Sequence, residues 1–172
     1  MEARLDGRNA VITGGSAGIG KAIAKSFLPA GANVSIVARR SEVLTAAKAE
    51  IEAQGAVTGT SGKVIALSAD IRNSEECEKV IAKTQAAFGH VDVLINNAGT
   101  SQRGDFLEVS DEIWQDDLDL KLFSAVRLCR LVIPGMRSRK WGRIINVLNL
   151  GAKVPNGGGA PTAVSRAAGM AL

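Results

Sequence analysis

NAVITGGSAGIGKAIAKSFL, Asn9 to Leu28, is an apolar strand pattern, a glycine-rich loop and a helical pattern in unbroken succession. The strand part, Asn9 to Thr13, is short and apolar, as a strand covered on both faces must be. The loop is TGGSAGIG, Thr13 to Gly20. Glycine at 14, 18 and 20 permits a tight turn and a close approach of backbone to ligand. The helix that follows presents unpaired N–H groups and a positive dipole end, which suits a pyrophosphate. Glycines alone also fit an ordinary turn; the strand–loop–helix context is what points to nucleotide binding.

Outward from this unit, short apolar runs alternate with longer helical patterns, a rhythm that demands a parallel sheet with helices on both faces. Strands are predicted at Asn9 to Thr13, Asn33 to Ala38, Lys63 to Ser68, Asp92 to Asn96 and Arg143 to Val147. Helices are predicted at Gly18 to Pro29, Glu42 to Gln54, Ser74 to Phe88 and Asp111 to Met136, with a last one opening near Ala160. Right-handed crossovers then give a doubly wound, three-layer α/β/α fold of strand order 3-2-1-4-5. With 172 residues, 46% of them apolar, the chain fits one domain, residues 1–172. Only 3% are aromatic and none is tyrosine, so Ala, Val, Ile and Leu must build the core.

Three segments carry further expectations. Gln54 to Gly62, QGAVTGTSG, is turn-rich and reads as a mobile surface connection. In the helix from Asp111, Leu118, Leu122, Ala125, Val126, Cys129 and Ile133 recur at helical spacing as a buried stripe, with Ser110 as N-cap. The last helix runs to Leu172 without a stop signal, so the chain looks cut short, and an apolar flank at strand five awaits further residues or another subunit.

The loop resembles the signature of the short-chain dehydrogenase/reductase family: Thr-Gly, three residues, Gly, one residue, Gly. The family's Asn-Asn-Ala-Gly motif matches Asn96 to Gly99, and its acidic residue after the third strand matches Asp70. The resemblance runs from about Arg8 to the last residue and implies a Rossmann-like domain that binds a nicotinamide dinucleotide. It assigns cofactor contacts to Thr13, Gly14, Ser16, Gly18, Ile19, Gly20, Asp70, Ile71, Asn97, Ala98 and Gly99, with Asp70 at the adenine edge. From the residues alone, Asp70 also reads as a helix-entry residue, and Asn96 and Asn97 as fasteners of neighbouring loops.

Cofactor choice is read from the end of the second strand, SIVARR. An acid there binds a ribose 2′-hydroxyl, whereas Arg39, nineteen residues past Gly20, suits a 2′-phosphate. NADP(H) is therefore expected over NAD(H), with Arg40 and Ser16 assisting and Lys21 a weaker candidate; the alternative is that both arginines are solvated turn residues.

The family's chemistry rests on a Tyr and a Lys one helical turn apart, a Ser thirteen residues before the Tyr, and an Asn in the preceding long helix. Followed through Gly142 to Gly169, these positions fall on Thr162, Arg166 and Asn149, and the Asn position falls on Lys121. All four differ. Thr162 does not ionise near neutral pH and Arg166 stays charged, so neither is a proton reservoir. Arg166 still suits a ribose or a developing alkoxide, and Asn149 donates through its amide. Lys121 borders the predicted stripe, so burial would lower its pKa and make it the candidate replacement acid. The competing reading has Lys121 extending to solvent, with Thr162 and Arg166 merely supporting a helix.

The net charge of +4 is modest, and the cluster Arg137, Arg139, Lys140 and Arg143 belongs to no recognised nucleic-acid motif, so it reads as a solvated surface and nucleic acid is not the expected partner. Cys77 and Cys129 lack ligand spacing, no metal site is expected, and His90 falls in a turn away from the site. No apolar run reaches membrane-spanning length and no apolar signal segment opens the chain, so a soluble, cytoplasmic protein is expected. The family resemblance implies a small carbonyl or alcohol substrate, and the open flank at strand five a homo-oligomer. An NADP(H)-dependent oxidoreductase with an altered proton relay is the first functional reading. An inactive NADP(H)-binding or scaffolding protein is the alternative.

Overall fold

β1 (Asn9–Thr13) is buried at every residue, because sheet neighbours flank it on both edges and helices cover both faces. The computed structural model, which describes residues 4–58 and 62–172, sets it at the centre of a parallel sheet of order β3-β2-β1-β4-β5. The other strands are β2 (Asn33–Ala38), β3 (Val64–Ser68), β4 (Val93–Asn96) and β5 (Arg143–Asn146). The helices are α1 (Gly18–Phe27), α2 (Ser41–Thr58), α3 (Ser74–Phe88), α4 (Asp111–Leu118), α5 (Ser124–Ser138) and α6 (Thr162–Ala171). The doubly wound order expected from the right-handed crossovers is the one observed.

Alternation along the strands divides the core into two layers. Ala10, Ile12, Val34, Ile36 and Ile95 pack with Ala24 of α1, with Leu28 just past its end, and with Leu44 and Ile51 of α2. Val11, Val37 and Leu94 pack with Val80, Ile81, Leu128, Cys129 and Val132 of α3 and α5. The parallel register pairs Thr13 with Val37 and Asn96 with Asn146, so every carboxyl end opens onto one rim. β1 lies between β2 and β4, and successive crossovers leave it in opposite directions, which opens a crevice at that rim.

The structure corrects three expectations. The turn-rich segment from Gln54 is helical as far as Thr58, because buried Gly55 continues the face of Leu44, Ala47 and Ile51 at helical spacing; residues 59–61 of that segment lie outside the described residues. The long helix from Asp111 is interrupted by a π turn at Asp119–Phe123. Its buried line is Asp117, Lys121, Ser124, Ala125, Leu128, Cys129, Val132 and Met136, while Ile133 is exposed and Leu118, Leu122 and Val126 are only partly covered. Ala125 and Cys129 of the expected stripe are buried, but polar residues hold buried places beside them, so apolar periodicity alone sets the face off by part of a turn. Ser110 stands at the N-cap with extended backbone, but its side chain makes no cap hydrogen bond.

The basic loop is also more engaged than a solvated surface. Arg8 stacks 3.7 Å from the centroid of Trp141, with Arg143 at 5.1 Å, and Arg139 donates to the Val91 carbonyl at 2.6 Å. At the β5 flank, Ile145, Leu150, Val164 and Met170 are exposed. Among the described residues no helix is long and apolar enough to cross a membrane.

Candidate functional site

Thr13 ends β1 with its hydroxyl turned inward. Its Oγ1 accepts from the backbone N–H groups of Asn97 at 2.9 Å and Ala98 at 3.0 Å, which seats the turn after β4 against the glycine loop. Asn97 completes the fastening by donating from Nδ2 to the Thr13 carbonyl at 2.9 Å. Gly14 holds φ +66, and a Cβ there would stand 2.8 Å from Asn97 Nδ2. A Cβ on Gly20 would stand 2.5 Å from the same nitrogen, so only glycine lets α1 begin this close to β4. The α1 N-cap, Ala17, makes no side-chain hydrogen bond, which leaves the first-turn N–H groups free for a ligand.

The resulting cleft encloses about 520 Å³ and is lined by Gly14, Ser16, Arg39, Arg40, Asp70, Ile71, Ala98 and Gly99. Val37, Ala38, Ala69, Thr100 and Leu120 complete the wall, and none of these was singled out in the sequence. Thr13, Gly20 and Asn97 instead form the support beneath it, whereas Gly18 and Ile19 stand exposed at the open start of α1. Asp70 is occupied by an arginine absent from the sequence-level site: Arg72 Nη2 meets its Oδ2 at 2.6 Å, and this hydrogen bond holds the carboxyl below its ordinary range.

Three of the four substituted positions come together. Lys121, on the π turn, is almost fully buried and donates from Nζ to Asp117 Oδ1 and to Thr162 Oγ1. Ser165 Oγ donates to the other carboxylate oxygen, Asp117 Oδ2, at 2.6 Å. Arg166 donates to the Val147 carbonyl at 2.6 Å, and a Cβ on Gly99 would stand 2.7 Å from its Nη2. Asn149 stands apart and exposed, at the N-cap of a short 3₁₀ turn, Leu150–Ala152, without a side-chain cap bond. Burial pushes the Lys121 ammonium below its ordinary pKa and Arg166 adds to that, while Asp117 opposes it.

Lys121 therefore neither reaches solvent nor merely borders the stripe; its side chain is 2% exposed, inside an ion pair. Asp117 and Ser165 went unnoticed in the sequence. The signal for Asp117 was its position four residues before Lys121, an ion-pair spacing on a helix. For Ser165 it was only the helical turn shared with Thr162.

The family model for short chain dehydrogenase matches residues 8–172. The chain belongs to the short-chain dehydrogenase family. A short chain dehydrogenase of Pseudocercospora fijiensis is 35% identical over 158 residues, 91% of this chain and 49% of its own length. The 3-oxoacyl-[acyl-carrier-protein] reductase of Vibrio cholerae is 36% identical over 165 residues, covering 95% of this chain and 63% of that protein. L-sorbose reductase of Gluconobacter frateurii, solved with NADPH and L-sorbose, superposes with a TM-score of 0.92 at 36% identity, over 99% of this chain and 63% of its own. A 7α-hydroxysteroid dehydrogenase solved with NADH superposes with a TM-score of 0.91 at 32% identity, covering 99% of this chain and 64% of that one. The chain spans about half the length of the curated relatives it matches first. As a short-chain dehydrogenase it has a glycine cradle that accommodates a dinucleotide, since the close approaches at Gly14 and Gly20 leave the α1 N-terminus clear.

Proposed function

We propose that this chain binds NADP(H) as the cofactor unit of an oxidoreductase that interconverts a carbonyl and an alcohol. The observation that carries the cofactor choice is Arg39 and Arg40 together on the cleft wall at the end of β2, where a 2′-phosphate would meet paired guanidinium donors. Relatives of both cofactor habits share the fold, so this pair of side chains is what favours the phosphorylated dinucleotide. The glycine loop and the α1 N-terminus would hold the pyrophosphate, Asp70 and Ile71 would border the adenosine end, and Arg166 beside Gly99 would meet the nicotinamide ribose. The dinucleotide, when bound, supplies the hydride acceptor or donor. A small-molecule substrate, a homo-oligomeric state, a cytoplasmic setting and one domain over residues 1–172 belong to the same reading.

Proton handling falls to the buried cluster. Lys121 donates to Thr162 Oγ1, which leaves the threonine's own hydrogen to be donated onward, and the Thr100 carbonyl lies 3.5 Å away as its resting acceptor. Arg166 contributes fixed positive charge rather than a proton. Titration of the chain with NADPH and NADH, followed by nicotinamide fluorescence, tests the first part. NADPH should bind more tightly by about tenfold or more, and Arg39→Asp should reverse the preference. Equal affinity for the two would sink the 2′-phosphate assignment.

The burial of Lys121 and Thr162, at 8% and 5% exposure, favours a second reading in which the chain binds NADP(H) without turnover and serves as a scaffold. Hydride transfer measured against a panel of ketones and alcohols separates the two. Turnover supports the oxidoreductase, and tight binding with none across the panel supports the scaffold.

A further inference from the structure

Behind the Ala98 wall of the cleft lies a small recess where the carboxyl ends of β4 and β5 meet α6. Among the described residues, two buried side-chain nitrogen or oxygen atoms lack a hydrogen-bond partner, the acceptor Asn96 Oδ1 and the donor Arg166 Nε, and both belong to residues lining this recess. Other atoms of the same side chains are tied. Asn96 Nδ2 donates to Asn146 Oδ1 at 2.9 Å, and Arg166 Nη1 donates to the Val147 carbonyl at 2.6 Å. The two strands are in register here, Asn96 opposite Asn146, and the Val147 N–H donates to the Asn96 carbonyl at 2.9 Å. The guanidinium is thus anchored one residue along β5 from the side chain that holds the Asn96 amide.

A buried donor and a buried acceptor on one recess are what a single water satisfies, accepting from Nε–H and donating to Oδ1. About 10 Å³ of the recess is open to a sphere of water's size, the room one water needs, so nothing larger fits. The lining is polar, with Thr13, Lys121, Ser124, Asn146 and Ser165 around it, and cavities that stay dry are apolar ones. We propose that one water bridges Arg166 Nε and Asn96 Oδ1, which makes Asn96 a positioning residue for the guanidinium. Val147 then fixes Nη1 and the water fixes Nε, while Nη2 is left beside Gly99 on the cleft wall. The consequence for the nicotinamide ribose rests on the dinucleotide reading of the cleft; the water and its hold on Arg166 do not.

Crystals that diffract well enough to order single waters test the bridge, in the wild-type chain and in Asn96→Leu. Wild type should show one water within about 3.2 Å of both atoms. Asn96→Leu should lose that water, and its Arg166 guanidinium should leave the Val147 carbonyl or lose order. Fluorescence titration reads the positioning. Asn96→Leu should weaken NADPH and NADH by the same factor, about three- to tenfold, because the nicotinamide ribose is common to both. Asn96→Leu/Arg166→Met should bind no more weakly than Arg166→Met alone, since one residue acts through the other. A wild-type site without the water would overturn the inference, as would an unmoved guanidinium in Asn96→Leu or losses that add in the double variant. Asn96→Ser, too short to reach the water, replaces the leucine variant if circular dichroism shows that one unfolded. If the wild type binds neither dinucleotide, the cofactor reading fails, and the crystals alone decide the bridge.

Discussion

Lys121 shows how one substitution alters the meaning of its neighbours. A buried ammonium is tolerable only when paired, and Asp117, fully buried and fixed from its other side by Ser165, is the partner. Asp117→Ala should therefore lower the unfolding free energy by about 3–5 kcal/mol, the cost of an uncompensated buried charge, whereas Lys121→Met/Asp117→Leu should lose much less. Urea denaturation of the three chains measures this, and equal losses would contradict the pairing. The pH dependence has a definite sign. Burial holds the folded-state pKa of Lys121 below its unfolded value of about 10.4, so between those two values the unfolded chain binds more protons. Stability should accordingly rise with pH across that window, relative to Lys121→Met, in denaturation series run at alkaline pH.

Elements differ in how plainly the sequence announced them. β1 and α1 were legible because apolar run, glycines and helical pattern lie in direct succession, and their junction depends on a backbone approach that a methyl group would block. Gly20→Ala should cost about 1–3 kcal/mol through the collision with the Gly14 carbonyl and with Asn97, seen in thermal melts, and should weaken NADPH binding by displacing the α1 N-terminus. The region from Asp111 was harder. Its π turn shifts the helical phase, and two of its buried positions, Asp117 and Lys121, carry charge, so the apolar residues pointed to Ile133 and Leu118 instead. The reach of α2 to Thr58 was hidden for a simpler reason: Gly55 reads locally as a breaker, but its burial beside Ile51 makes small size an advantage.

At the scale of the whole molecule, the cleft spans segments far apart in sequence, from Gly14 to Leu120, so a ligand filling it ties β1, β2, β3 and β4 ends together. NADPH at a hundred times its Kd should add about 2.7 kcal/mol to stability, readable as a melting shift of several degrees, with a smaller shift from NADH at equal concentration. The absence of any shift would count against the cleft as a dinucleotide site. Sequence alone determined the strand order, through the alternation of strands and helices and the handedness of their crossovers, and it determined the glycine loop and the arginines at the end of β2, because these are encoded within a few consecutive residues whose backbone demands are local. Only the tertiary structure decided that Lys121 is held by Asp117 and Thr162, with Ser165 fixing Asp117 from its other side, that Arg72 pairs with Asp70, and that Asn149 stands apart from its supposed companions. Burial and charge compensation are properties of residues brought together from different elements, and no local pattern records which partner a buried charge will find.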